Sequence, residues 1–425
     1  MAVLGFTLSL DKCQLVPKPQ VRYLGFVVDA PGQSLRVPDD KVAALGQLVE
    51  EYDRRAQLTP RDIAKLAGKI MSMSLAVQLA PLHGRLVAQA LASKVSWDEA
   101  MGDGREVVRQ AQLFLELLRT SNGKCWWRKG PALQLVLAGD ASARAYGAFL
   151  PDRELGQGEA SEMRVPFTEE ETALMAAGQF SSTGRELRGL LHALQWLQAQ
   201  APQLVAHRRL QYQTDSQPAD RCVLGMKGTA ACLRVVADIY RASAVTDTEV
   251  ITVWAPRTEP NQRAADALSK YVDGSQWLLN PAVYTEVEAD ARLCGRRPVL
   301  DLFADSYSTR IPGAFFSRYW CPGTLGVDAF AQHWGGRGLL YANPPFGRMG
   351  EVLRKLGDEK ADCLLVAPVW PRWWRALLRN MPVRARWELP HRDDLCIPGP
   401  QVPNAGGRRP MHPRYRLEVL LIEWS

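Results

Sequence analysis

Apolar positions along the chain change period several times, and each change marks a new kind of element. Val21 to Val28 is a β-rich run followed by a turn at Ala30-Pro31-Gly32-Gln33, so residues 1–37 read as strands and turns. From Pro38 to about Leu91 the spacing becomes helical. Thr59-Pro60 opens a helix that places Ile63, Leu66, Ala67 and Ile70 on one face. Residues 105–119 predict a second amphipathic helix with Val107, Val108, Ala111, Leu115 and Leu118 on its buried side, ended by Ser121-Asn122-Gly123-Lys124.

Beyond a boundary near residue 130, strands and helices alternate. Leu133 to Leu150 reads as strand, turn and strand, and Gly184 to Gln200 as a helix with Leu187, Leu190, Leu191, Leu194 and Leu197 in register. Leu210–Thr214 is a strand, Ala230–Ala242 a helix, Glu249–Trp254 a strand and Asn261–Tyr271 a helix. Such interleaving predicts a sheet covered by helices. Residues 279–297 read as a connector ending in Gly295-Arg296-Arg297-Pro298, after which a second α/β unit begins at Val299. The expected class is α/β and multidomain.

Composition narrows this picture. A chain of 425 residues exceeds one ordinary core, and a hydrophobic share of 47% with 23% charged residues is that of a globular protein, not of a disordered or fibrous one. No apolar run approaches the roughly 20 residues that cross a bilayer. MAVLGFTLSL has no basic stretch before its apolar residues, so neither a signal peptide nor a membrane partner is expected. The cysteines are scattered without a CxxC pair, which argues against a zinc ribbon or disulfide framework and for an intracellular, cytoplasmic or nuclear setting. The net charge of +7 fits a polyanionic partner. From Arg372 to Ser425 there are ten arginines and no lysine, which suits forked phosphate contacts as well as a solvated surface.

Four acids stand where open α/β sheets gather their active sites. Asp140 ends the apolar strand Leu135-Val136-Leu137-Ala138, Glu186 lies in the first turn of the next long helix, Asp215 ends LQYQTD, and Asp266 sits on the helix after TVWAPR. Together they offer oxygen ligands for two hard cations, and two such ions about 4 Å apart assist in-line phosphodiester cleavage. Taken singly, each has a plainer reading. Thr183-x-x-Glu186 is also a capping box, Asp140 and Asp215 suit turns after strands, and Asp266 suits a helix surface.

The strings around these acids resemble the ribonuclease H domain that follows reverse transcriptase in retrotransposons. The matching pieces are Asp140-Ala141-Ser142, Ser181-Ser182-Thr183-Gly184-Arg185-Glu186-Leu187, Thr214-Asp215-Ser216, and Asn261 through Ser269 with Ala265-Asp266, led by Trp254-Ala255-Pro256-Arg257. The resemblance implies a ribonuclease H-like mixed sheet flanked by helices over residues 131–278. It also implies Asp140, Glu186, Asp215 and Asp266 as catalytic ligands of two Mg2+ (or Mn2+) ions, and RNA–DNA hybrid as substrate. The histidine that cellular enzymes carry before the last aspartate is missing between Trp254 and Asp266.

The flanks extend the resemblance to a DIRS-type retrotransposon polyprotein that binds DNA and RNA. GFTLSLDKCQLVPKPQVRYLGFVVD looks like the end of a reverse-transcriptase palm, with Tyr23, Leu24, Gly25 and Phe26 as the primer-grip hairpin. Residues 1–95 are then a palm-end and thumb remnant, and 96–130 a helical connection. The paired-aspartate polymerase motif is absent; Tyr271-Val272-Asp273-Gly274 carries a single aspartate. This implies a fragment or a lost front half. After the 279–297 linker, residues 298–425 resemble a methyltransferase-like, Rossmann-type unit similar to phage adenine-N6 methyltransferases. There Asn343-Pro344-Pro345-Phe346 implies a site for a target amine and base. Asp301 and Asp328 are candidate S-adenosylmethionine contacts, although Leu300-Asp301-Leu302-Phe303-Ala304-Asp305 has no glycine-rich turn. Trp370, Trp373 and Trp374 read either as core or as a stacking surface.

Overall fold

The computed structural model describes residues 9, 16–55, 57–123, 134–151, 161–271, 277–293, 295–390, 392, 394–398 and 416–424. Most of GFTLSLDKCQLVPKPQ, the boundary near residue 130, Val272-Asp273-Gly274, Arg408, Arg409 and Arg414 lie outside the described residues. The chain divides into two compact units, residues 1–132 with 221–237, and residues 133–220 with 238–425.

In the first unit, β1 (Gln20–Tyr23), β2 (Phe26–Asp29) and β3 (Ser34–Arg36) form an antiparallel sheet. Leu24 and Gly25, at φ 46° and 81°, supply the two left-handed positions that a two-residue hairpin needs. Tyr23 and Leu24 project into solvent there. The helices are α1 (Asp39–Asp53), α2 (Pro60–Met71), α3 (Ala80–Ala88) and α4 (Arg105–Ser121), with a small pair β4 (Gln57–Leu58) and β5 (Met101–Asp103). Thr59 caps α2 reciprocally with Asp62, and Ile63, Leu66, Ala67 and Ile70 are buried together as the spacing predicts. On α4 the buried face includes Phe114, while Leu115 only borders it. The real stripe therefore runs 107, 108, 111, 114, 118.

The second unit begins with β6 (Gln134–Ala141), β7 (Ala145–Phe149) and β8 (Glu162–Pro166), then α5 (Glu169–Ala176), α6 (Ser182–Gln200), α7 (Pro202–Val205) and β9 (Arg209–Thr214). Next along the chain come α8 (Gln217–Gly225) and α9 (Ala230–Val245), whose residues 221–237 are counted with the first unit, and then β10 (Glu249–Trp254) and α10 (Pro260–Lys270). The sheet order is β10-β9-β6-β7-β8. Strands β6, β7 and β8 are antiparallel neighbours, whereas β9 and β10 run parallel to β6. This is the expected mixed sheet with helices. Leu187, Leu190, Leu194, Trp196 and Leu197 of α6 are buried.

The chain continues through β11 (Trp277–Leu279), α11 (Pro281–Leu293), β12 (Leu300–Asp301), β13 (Phe316–Ser317), β14 (Gly326–Val327) and β15 (Leu340–Ala342). It ends with α12 (Met349–Asp358), β16 (Cys363–Pro368), α13 (Arg375–Arg379), β17 (Val383–Glu388), β18 (Cys396–Pro398) and β19 (Leu417–Ile422). A second sheet has the order β12-β15-β16-β19-β17, parallel over its first three strands, with β19 antiparallel to both neighbours. Strands β16 and β19 are buried along their whole length, because apolar clusters cover both faces. One cluster holds Met349, Leu353 and Leu378; the other holds Val283, Tyr284 and Val287.

The second cluster corrects the connector expectation. Residues 281–293 form α11, whose Val283, Tyr284 and Val287 pack onto the sheet despite the charged residues between them. The tryptophans divide: Trp374 belongs to the core, whereas Trp373 is exposed with Arg354 over its ring.

Candidate active site

Parallel pairing sets up the first two acids. The β6–β9 register runs from Gln134 opposite Arg209 to Ala138 opposite Gln213, and its continuation brings Asp140 level with Asp215. Glu186 approaches from α6. Ser181, not Thr183, caps that helix, its hydroxyl accepting from the Gly184 N–H at 3.1 Å. The capping-box reading of Thr183 and Glu186 therefore gives way, and Glu186 turns to the sheet, where Oε1 accepts from the Ala141 N–H at 3.3 Å. Oxygens of Asp140, Glu186 and Asp215 lie within 4.8 Å of one another.

Two glycines make room beneath this cluster. A Cβ on Gly139 would sit 1.8 Å from the Tyr212 hydroxyl oxygen, and one on Gly189 would lie 3.5 Å from it. Tyr212 thus fills the space between β6 and α6. Its buried hydroxyl and Glu186 Oε2 both lack a hydrogen-bond partner among the described residues.

The electrostatics follow from burial and crowding. Burial, opposed by the Ser269 hydrogen bond and helped by Asp215 and Asp266, raises the Asp140 pKa. Burial first, then Asp140 and Asp215, pushes Glu186 up to about 8. A buried set of oxygen-only donors repelling one another, with one orphaned oxygen among them, fits a hard divalent cation.

Asp266 lies on α10 outside the close trio. Its carboxylate takes Lys270 Nζ at 2.5 Å, yet it remains near enough to act on Asp140. Arg257, exposed on the loop after β10, forms an ion pair with Asp215. Reading the sequence did not single out Ser269, whose hydroxyl donates to Asp140 Oδ2 at 2.6 Å, or Gln262, whose buried amide donates to the Gly139 carbonyl at 2.7 Å. Both belong to the string that carries Asp266, and polar residues on the inner face of that helix were the available signal.

The C-terminal candidates gather at a separate place. Asp301, Asp328, Asn343 and Pro345 all line one cavity of about 290 Å³. Burial raises the Asp301 pKa to about 7 against hydrogen bonds from the Arg310 and Phe303 amides, at 2.9 and 3.3 Å. Asp328 stands at φ 53° and accepts from the Phe330 N–H at 3.0 Å. The Asn343 amide donates to the Trp277 carbonyl at 2.9 Å, and Phe346 meets Trp370 edge-on with ring centroids 5.9 Å apart. Both aspartates therefore have backbone partners as well as cavity positions. Pro344 is buried beside Ala342 and Asn343 in the same turn.

No protein-family model matches the chain, and no curated protein matches it. Among solved structures, RNase H1 from the halophilic archaeon Halobacterium salinarum NRC-1 aligns at 17% identity over 32% of this chain and 94% of that one, with a TM-score of 0.24. LC11-RNase H1 in complex with RNA/DNA hybrid aligns at 18% identity over 31% of this chain and 91% of that one, with a TM-score of 0.25. The foamy viral protease-reverse transcriptase in complex with RNA/DNA hybrid aligns at 12% identity, a TM-score of 0.24, and 58% of this chain against 30% of that one.

Proposed function

We propose that the chain is a retroelement ribonuclease H that cuts the RNA strand of RNA–DNA hybrids at the carboxylate cluster. The observation that carries this reading is the convergence of Asp140, Glu186 and Asp215 oxygens within 4.8 Å. Asp140, Glu186 and Asp215 would hold the cations, with Asp266 as the fourth acid. Two Mg2+ or Mn2+ ions held there would supply Lewis-acid activation of water and stabilisation of the leaving 3′ oxygen. Ser269 fixes the orientation of Asp140, and the Ala141 amide fixes Glu186. Arg257 keeps Asp215 at the rim of the cluster by a charge-assisted bond. Residues 1–95 fit the remnant of a reverse-transcriptase palm end and thumb, from which no polymerase activity is expected. The test is cleavage of a labelled hybrid by the full chain, with Mg2+ and with EDTA. Cleavage only with Mg2+ supports the reading, and equal cleavage in both rejects it.

A second reading concerns the C-terminal body, because Asp301, Asp328, Asn343 and Pro345, four of the residues expected to serve adenine-N6 methyl transfer to DNA, line one cavity. Its Asp301, Asp328 and Asn343-Pro344-Pro345-Phe346 would serve S-adenosylmethionine and the target base. Transfer of a labelled methyl group to DNA by wild type, but not by Asn343→Ala, is the expected result. Equal counts from both proteins would remove the idea.

A further inference from the structure

The wall of the cavity includes Arg164 and Pro166 of β8 and Tyr271, the residue that follows α10. Arg164 stands on β8 and is only 6% exposed. Its Nε donates to the Leu268 carbonyl at 3.2 Å and its Nη2 to the Tyr271 carbonyl at 2.9 Å. These carbonyls stand at the end of α10, where that of Leu268 also accepts from the Tyr271 N–H at 3.2 Å. A cation placed there also meets the negative end of the helix dipole.

Ser269 lies between the two carbonyls that Arg164 holds. Its hydroxyl donates to Asp140, and its own carbonyl accepts from the Ser142 hydroxyl at 2.7 Å. The guanidinium thus fixes the short segment that orients a ligand of the metal centre. On the cavity side, Arg318 Nη1 donates to the Tyr271 hydroxyl at 2.7 Å, and the Arg318 guanidinium lies 5.2 Å from the ring centroids of both Tyr271 and Tyr319. One cationic and aromatic wall therefore borders the cavity and, through α10, the carboxylates.

We propose that Arg164 is a positioning residue for the carboxylate centre and that it links that centre to the cavity. A molecule in the cavity that engages Arg164 or Tyr271 changes how tightly the acids hold a divalent cation. By linkage, the cation changes that molecule's affinity by the same factor. The inference rests on the reading of Asp140, Glu186 and Asp215 as metal ligands.

The test is calorimetric titration of Mn2+ into the full chain, with and without saturating S-adenosylhomocysteine. It compares wild type, Arg164→Ala and Arg164→Lys, the lysine variant keeping the charge if the alanine variant fails to fold. Both variants are expected to bind Mn2+ about threefold to tenfold more weakly, below the effect of losing a direct partner of a ligand. S-adenosylhomocysteine is expected to shift the wild-type Mn2+ affinity by about fivefold and to leave the variants unshifted. Unchanged Mn2+ affinity in folded variants overturns the positioning role. No shift in wild type, or the same shift in the variants, overturns the link. Failure of wild type to bind Mn2+ overturns the metal-centre reading itself, and this inference with it.

Discussion

The Ser269 hydroxyl hydrogen-bonds Asp140 Oδ2 at 2.6 Å across 129 positions of sequence, tying α10 to β6, the central strand of the sheet β10-β9-β6-β7-β8. Hydrogen bonds to charged groups contribute about 1.5–3 kcal/mol, and a partner that orients a metal ligand also sets metal affinity. Ser269→Ala is expected to raise the Mg2+ concentration for half-maximal hybrid cleavage by about tenfold. Titrating Mg2+ against initial rate checks this. An unchanged midpoint would mean that Asp140 is held by other contacts.

The same helix sits so close to β7 that only glycine fits between them. A Cβ on Gly147 would lie 2.5 Å from the Ser269 nitrogen and 2.6 Å from the Ala265 carbonyl oxygen, both of them backbone atoms with little freedom to move. Gly147→Ala is expected to destabilise the fold by about 1–3 kcal/mol, as overpacking does. Urea unfolding followed by circular dichroism measures it, and a midpoint equal to wild type would contradict the packing described.

Glu186 gives a pH dependence with a definite sign. Its folded pKa of about 8 lies above the ordinary 4.5, so between these values the folded state holds the proton that the unfolded state has lost. The stability that this group contributes is then fully present below about pH 4.5 and is lost as pH rises through about 8. Raised in the same direction, Asp140 adds to this loss. Melting curves in EDTA should therefore drop across this window, Glu186→Gln should flatten the drop, and Mg2+ should stabilise increasingly toward high pH. A melting temperature rising through the same window in EDTA would reverse the argument.

Much of this architecture was legible in the sequence, for reasons that differ by element. Leu187, Leu190, Leu194 and Leu197 repeat at helical spacing on a helix with one buried face, so periodicity located α6. Asp140 and Asp215 end strands, which parallel pairing aligns. Glu186 was ambiguous because Thr183-x-x-Glu186 also reads as a capping box, and only the bond from the Gly184 N–H to the Ser181 hydroxyl removes that reading. Helix α11 was hidden because acidic residues interrupt its apolar face, so local polarity suggested a connector. The cavity was hidden more deeply. Its wall joins Arg164 and Tyr271 to Asp301 and Asn343, and no local pattern encodes contacts so far apart in sequence.

Hybrid cleavage by Asp140→Asn beside wild type, at saturating Mg2+, tests the central claim most directly. The substitution keeps the shape of the side chain while removing one negative donor from the trio. The account predicts a loss of at least about a thousandfold in rate, roughly 4 kcal/mol of transition-state stabilisation, with hybrid binding retained. A variant that cuts hybrid at the wild-type rate would contradict it.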